Sequence, residues 1–462
     1  MITLDRLLAE WLPGQRWFGG KGRGAAAMTS TLAARLRDAE PRVDVRLVRV
    51  SYPDGGTETY VVPLAYHHGP QDHLGHALLG ELEDDGRAVW VYDGLADRDI
   101  SPLWTDLVAA GGQHGALVFH PEPGAAIPHG VPGDVLVAEQ SNTSLVYGED
   151  AILKVFRKLE PGLNPDVEVH RALRPLGSPH IAPLLGHVEL TELPEPAGAE
   201  PATATLAMLQ SFLPVASDGW SLALSSVRDL FSERDLRADE VGGDFSGEAH
   251  RLGAATAAVH AGLAQVLPTG RADRRWLADT ATGMTERLAL AIEVVPGLAE
   301  HAGPLRASYA AVCDLPGGLP LQRIHGDLHL GQALRTATHW VLLDFEGEPA
   351  RPLATRGRPD SPLRDVAGML RSFDYAARHL LVDEPDPQLE YRAGEWVDRN
   401  RAAFRRGYAE TSGADPRDQD VLLRAFEADK AVYEAVYEAR NRPTWLPIPL
   451  AWLARLTAGK DA

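Results

Sequence analysis

Apolar and polar positions largely alternate along Val43–Val50 and again, less regularly, along Glu58–Leu64, with Pro53-Asp54-Gly55-Gly56 between them. Period-two runs around such a turn predict a β-hairpin. Shorter strand-like runs follow at Ala88–Tyr92 and Ala116–His120, so residues 1–130 read as a β-rich α/β module. From Asp134 to Arg157 the pattern is strand, polar loop (Gln140–Ser144), strand, turn (Gly148-Glu149-Asp150), strand. Asn164-Pro165-Asp166 then opens a helix, Asn as its cap and Pro at the first helical position. Glu189–Pro201, rich in Pro, Glu and Ala, reads as a surface loop, and Leu206–Leu213 as an apolar strand stopped by Pro214. Beyond it the period changes to 3.6, over Ser246–Ala264, Asp365–Leu381 and Gly394–Thr411. The expected class is α+β with two lobes and a cleft between them: a cap module at 1–130, a sheet region at 131–213 and a helical region at 214–462.

Composition narrows the chemistry. A chain of 462 residues, 45% hydrophobic and 24% charged, fits a multi-lobed soluble protein. Its net charge of −19 argues against a nucleic-acid partner, which needs a positive surface. Cys313 is the single cysteine, so no intrachain disulfide can form. The opening Met1–Arg6 has no signal-peptide pattern and no apolar run reaches membrane-span length, so the expected location is cytoplasmic, with no membrane partner.

The strongest chemical signal is His325-Gly326-Asp327, with Gln332 five residues after Asp327 and Asp344 twelve after Gln332, at the end of the apolar run Trp340–Leu343. Phosphoryl transfer asks for a carboxylate to orient and deprotonate the attacking hydroxyl and for oxygen ligands to hold Mg²⁺ on the phosphates. Asp327 suits the first task, Gln332 and Asp344 the second.

These stretches, His325–Gln332 and Leu342–Pro349, resemble the maltokinases, in the aminoglycoside-phosphotransferase-like branch of the protein-kinase-like fold. The likeness runs on through Arg358–Ser372, Tyr433–Pro449, Ser141–Ser144, Leu153–Arg157 and Trp11–Phe18, and is thin over 65–130 and 190–240. It implies a bilobal protein-kinase-like fold with an N-terminal cap, ATP and Mg²⁺ as cofactors, maltose as acceptor and an association with trehalose synthase. By the family's pattern Asp327 is the base, Gln332 stands where Asn is usual, and Asp344 is the Asp-Phe-Gly aspartate. Glu346 becomes a further candidate near the metal, where kinases carry Gly.

On the nucleotide side, Lys154 lies between apolar neighbours on one face of a strand, which contact with the ATP phosphates explains. Its helix carboxylate is expected at Glu168, with Asp166 and Glu160 as competitors. Ser141, Asn142, Thr143 and Ser144 occupy the place of the phosphate loop without its glycines. Gln210 to Leu213 is the expected adenine hinge. On the acceptor side, Lys430, Tyr433, Glu434, Tyr437, Glu438 and Asn441 form a polar and aromatic helix face. Sugars are bound by that mixture. His329 and Arg371 join this group, and Asp327 faces the same substrate. His260 and His325 read as packing or bracing residues. The competing readings are an aminosugar kinase acting on glucosamine and a non-catalytic nucleotide-binding partner of trehalose synthase.

Overall fold

A computed structural model of the chain describes residues 3–84, 86–136, 142–193, 202–214, 216–348, 353–382 and 386–458. The chain folds as two compact units, Met1–Arg171 with Ala182–Pro214, and Ala172–Ile181 with Val215–Ala462.

The first unit carries two antiparallel sheets. One runs in the order Ala27–Arg37, Arg42–Ser51, Thr57–His67, Arg87–Asp93, Leu78–Asp84, with the short strand Lys158–Leu159 added to Thr57–His67. The predicted hairpin is present: Tyr52 N–H donates to Gly56 O across the turn and Val50 pairs with Glu58. The second sheet has seven strands, ordered Gly112–His114, Leu117–Pro121, Leu184–Leu193, Ala202–Ser211, Ala151–Val155, Thr143–Tyr147, Gly133–Val135. Its first two strands precede residue 130, so the chain before and after that point shares one sheet. Apolar positions from both sheets, among them Val45, Val61, Phe119, Leu153 and Leu206, form one buried cluster. Segment Glu189–Leu193, expected in a loop, continues a strand, because Val188 and Leu190 point into this cluster. The rest of that expected loop, 194–201, lies outside the described residues.

Arg157 is the junction between the sheets. It is 1% exposed, donates to Asp93 at 2.6 Å and to Thr143 Oγ1 at 2.8 Å, and stacks over Trp17 at 4.6 Å. The Asp93 pair and the Thr143 hydrogen bond offset the burial of the guanidinium, whose Nη1 has no hydrogen-bond partner among the described residues.

The second unit is helical. Ser246–Val266 packs along Pro387–Ser412, and Leu363–Arg378 is buried along its length. Such a helix must be apolar or internally paired. Here Val366, Met369, Leu370 and Phe373 fill the core, while Arg371, Asp374 and Arg378 are buried as ion pairs. A three-stranded sheet, Ser217–Asp218, Ala333–Arg335 and Trp340–Leu342, delivers the loop that follows residue 342. The helix expected over 429–442 runs from Asp420 to Asn441.

Candidate active site

Asp327 lines a cavity of about 440 Å³ in the second unit. The loop that presents it is fixed from behind. Gly326 has φ +86°, and a Cβ there would sit 3.1 Å from Gly347 Cα, so only glycine suits the turn. Asp365, at the start of the buried helix, accepts from His325 N–H at 2.7 Å and from Gly326 N–H at 2.8 Å. It also accepts from His260 Nε2 at 2.9 Å, while His260 Nδ1 accepts from Tyr408 OH at 2.9 Å. The fully buried Asp365 carboxyl would be raised by burial, but His260 and the backbone donors hold it below its ordinary range. His325 donates from Nε2 to Leu343 O at 2.7 Å, joining the loop to the segment that carries Asp344. His260 and His325 therefore brace the site, and Asp365 is the bracing carboxylate that the sequence did not single out for that role. Its signal was a charge heading an apolar run.

Lys430 Nζ donates to Asp327 Oδ1 at 2.7 Å. Burial alone would raise the Asp327 carboxyl, but Lys430 and the nearby histidines outweigh it and hold it at about 2. Burial would lower Lys430, and Asp327 reverses that, leaving the ammonium above its ordinary value. Burial lowers His329 to about 4 against the pull of Asp327, so its imidazole is neutral near neutral pH.

Gln332 and Asp344, expected to hold the metal, are brought together: Gln332 Nε2 donates to Asp344 Oδ2 at 2.9 Å. Carboxylate oxygens of Asp344 and Glu346 lie within 4.8 Å of each other. Asp344 has φ +66°, the only non-glycine residue so placed among the described ones. Such strain concentrates at functional sites. This oxygen donor set fits a hard divalent cation such as Mg²⁺, provided the Gln332 amide turns its oxygen inward.

The helix face reading places Lys430, Tyr433, Glu434, Tyr437 and Glu438 on the cavity wall, and the structure puts all five there. Glu434 receives Arg371 Nη2 at 2.7 Å and Nε at 3.1 Å; burial raises its carboxyl and Arg371 only partly offsets this. Glu438 receives Arg442 Nη2 at 2.7 Å. His329 also lines the cavity, and Asn441, expected on the same helix face, is exposed. Arg371 corrects the sequence reading. It is 0% exposed, spends its donors on Glu434 and Asp374 and lies over Trp452, so it orients Glu434 instead of touching a ligand. Trp220, Tyr375, Arg442 and Trp445 line the cavity without having been singled out. Trp220 and Trp445 stack against each other at 6.4 Å, and His379 stacks on both, at 5.7 and 4.8 Å.

In the first unit Lys154 lies 3.5 Å from Asp166 Oδ2. Asp166, the competitor to the expected Glu168, is therefore within reach of the lysine, from the first turn of the helix Pro165–Leu173 that also carries Glu168. Thr143 and Ser144 belong to a strand and are buried, and the Thr143 hydroxyl is engaged by Arg157, so they are not loop residues. Asn142 sits just before that strand, and Ser141 lies outside the described residues. Gln210 is inside a strand opposite Ile152, and Leu213 follows the strand end at Ser211.

A family model described as the maltokinase N-terminal cap domain matches residues 11–97. The chain is 32% identical over 379 residues to a glucosamine kinase of Streptacidiphilus jiangxiensis, covering 79% of this chain and 80% of that one. It is 29% identical over 328 residues to a glucosamine kinase of Mycolicibacterium smegmatis, covering 70% and 78%. A solved structure of a glucosamine kinase in complex with glucosamine, ADP and inorganic phosphate superimposes with a TM-score of 0.69 at 26% identity, covering 98% of this chain and 99% of that one. No helix among the described residues is long and apolar enough to cross a membrane.

Proposed function

As this chain belongs to the maltokinase-like family of sugar kinases, we propose that it phosphorylates maltose at the anomeric hydroxyl, with ATP as donor, in the cytoplasm. One observation carries the choice of sugar. Every carboxylate lining the cavity, among the described residues, already has a cation: Asp327 has Lys430, Glu434 has Arg371 and Glu438 has Arg442. An aminosugar ammonium entering this cavity would meet no unmatched negative charge, whereas neutral hydroxyls can share these polar groups. The Trp220 and Trp445 wall suits the apolar face of a second sugar ring.

In this reading the acceptor hydroxyl bonds to Asp327 Oδ2, since Oδ1 is held by Lys430. The hydroxyl oxygen attacks the γ-phosphorus, its proton passes to Asp327, and the bond to the leaving ADP oxygen breaks. A carboxyl held at about 2 is a weak base, so its main work is orientation, with proton transfer late along the path. Gln332, Asp344 and Glu346 would hold Mg²⁺, which when bound draws charge from the transferred phosphoryl group. Lys154 serves the other phosphates. The association with trehalose synthase implied by the resemblance belongs to the same reading.

Glucosamine is the second reading, favoured by the names of the curated relatives. Turnover with ATP and Mg²⁺ against maltose, glucosamine, glucose and an aminoglycoside separates them. Maltose should exceed glucosamine at least tenfold in kcat/KM, with an acid-labile phosphate at the reducing end. The reverse order would overturn maltose, and no turnover with any sugar would favour the non-catalytic reading.

A further inference from the structure

Three side chains in the seven-stranded sheet have no part in sugar phosphorylation. His187 faces His120 directly across the antiparallel pair formed by Leu184–Leu193 and Leu117–Pro121. Glu189 is two residues beyond His187, so strand alternation puts it on the same side. Their intervening neighbours Phe119 and Val188 point the other way, into the hydrophobic cluster. The two imidazole rings stack 4.6 Å apart, and His120 Nε2 lies 3.4 Å from Glu189 Oε2.

The nitrogens are unusually placed. His187 is 3% exposed, and its Nδ1 is buried with no hydrogen-bond partner among the described residues. His120 Nε2 is likewise buried, and its approach to Glu189 lacks hydrogen-bond geometry. A buried polar atom without a partner costs about 1–3 kcal/mol, so one on each of two stacked rings calls for a ligand. One donor atom from each of the three residues falls within 4.8 Å of the others.

We propose that His120, His187 and Glu189 form a binding site for a single zinc ion. Two imidazoles and a carboxylate are a donor set that Zn²⁺ takes, completing a tetrahedron with one water. Bonds of about 2.1 Å imply ligand atoms roughly 3.4 Å apart, so the cluster must close by about 1.4 Å at most. His120 and Glu189 have side chains 39% and 33% exposed and can turn to do so, whereas His187 is fixed by burial. Burial, with His120 and Arg171 nearby, lowers His187 to about 4, so it presents a neutral ring. The positive charge of Arg171 is shared with Glu122, 3.6 Å away. The register places the site on the sheet face that carries Lys154: Lys154 pairs with Met208, Met208 with His187, and His187 with His120. Zinc here would staple the Leu117–Pro121 strand to its neighbour Leu184–Leu193 within the seven-stranded sheet.

The test uses the full chain, freed of metal by chelation and held in excess Mg²⁺ to occupy hard-oxygen sites. Calorimetric titration with ZnCl₂ should give one tight site and a rise in the thermal midpoint. Titration with CoCl₂ should give the visible absorption of a four-coordinate centre. His120→Ala should weaken zinc binding at least a hundredfold and abolish the cobalt spectrum, and Glu189→Gln should weaken it at least tenfold. Neither residue is in the catalytic machinery, so Mg²⁺-dependent sugar turnover should be unchanged in both. These two variants carry the test because replacing buried His187 risks misfolding. Zinc binding equal in wild type and both variants, or no stoichiometric site in the wild type, would overturn the proposal.

Discussion

Lys430 and Asp327 offer the sharpest energetic test. Lys430→Met keeps the length of the side chain and removes its charge, leaving a half-buried carboxylate without its partner. Coulomb attraction at their separation of 2.7 Å ranges from about 1.5 kcal/mol in a water-like medium to about 6 kcal/mol at an effective dielectric of 20. The fall of the Asp327 carboxyl from 3.8 to about 2 is what remains after burial has opposed it, so the pair itself contributes at least about 2 kcal/mol. A double-mutant cycle isolates it: wild type, Lys430→Met, Asp327→Asn and the double variant, each unfolded in urea and followed by tryptophan fluorescence. The coupling should be at least about 2 kcal/mol at pH 7. Asp327 has a depressed folded-state value, so this stabilisation is complete above its unfolded value and is lost only as pH falls through about 2. The cycle repeated at pH 5 should therefore return the same coupling. A coupling below about 0.5 kcal/mol, typical of a surface pair, would refute the reasoning, as would one that fades between pH 7 and pH 5.

Asp365→Asn should cost about 2–3 kcal/mol in urea denaturation and lower kcat strongly with KM for ATP unchanged, because one of its three buried donors loses its acceptor. Gly326→Ala should destabilise by about 1–2 kcal/mol and reduce turnover, since φ there is +86°; a normal kcat would show that the turn can move. Trp445→Ala should raise KM for the sugar several-fold without changing KM for ATP. With His329 held at about 4 and Asp327 at about 2, kcat/KM should be free of an acid limb between pH 6 and pH 8; an inflection near 6.5 would place a titrating histidine in the mechanism.

What could be read from the sequence was local. The hairpin around Pro53–Gly56 and the Asn164 cap follow from two or three neighbouring residues, and the cap forms as expected, Asp166 N–H donating to Asn164 Oδ1 at 2.8 Å. Asp327, Gln332 and Asp344 are spaced closely enough for one loop and one strand to bring them into the same site. The rotation of a helix was not legible: Asp166 and Glu168 are equally acidic, and nothing in the sequence says that Asp166 comes within 3.5 Å of Lys154. Depth was not legible either. Arg371 and Glu434 both suit a sugar, but one lines the cavity and the other lies behind it. Trp220 and Trp445 are separated by most of the second unit in sequence, and no periodicity relates them.

Arg157 has a genetic consequence. It lies three residues beyond Lys154, yet its side chain is held by Trp17 and Asp93, and its carbonyl accepts from Val61 N–H at 2.8 Å. An allele at Trp17, far from the chemistry in sequence, should therefore appear in a screen as a nucleotide-affinity defect, and its suppressors should map to the strand that carries Lys154. For inheritance and engineering alike, the N-terminal segment and the seven-stranded sheet form one heritable unit, and exchanging either between relatives should succeed only when both are exchanged together.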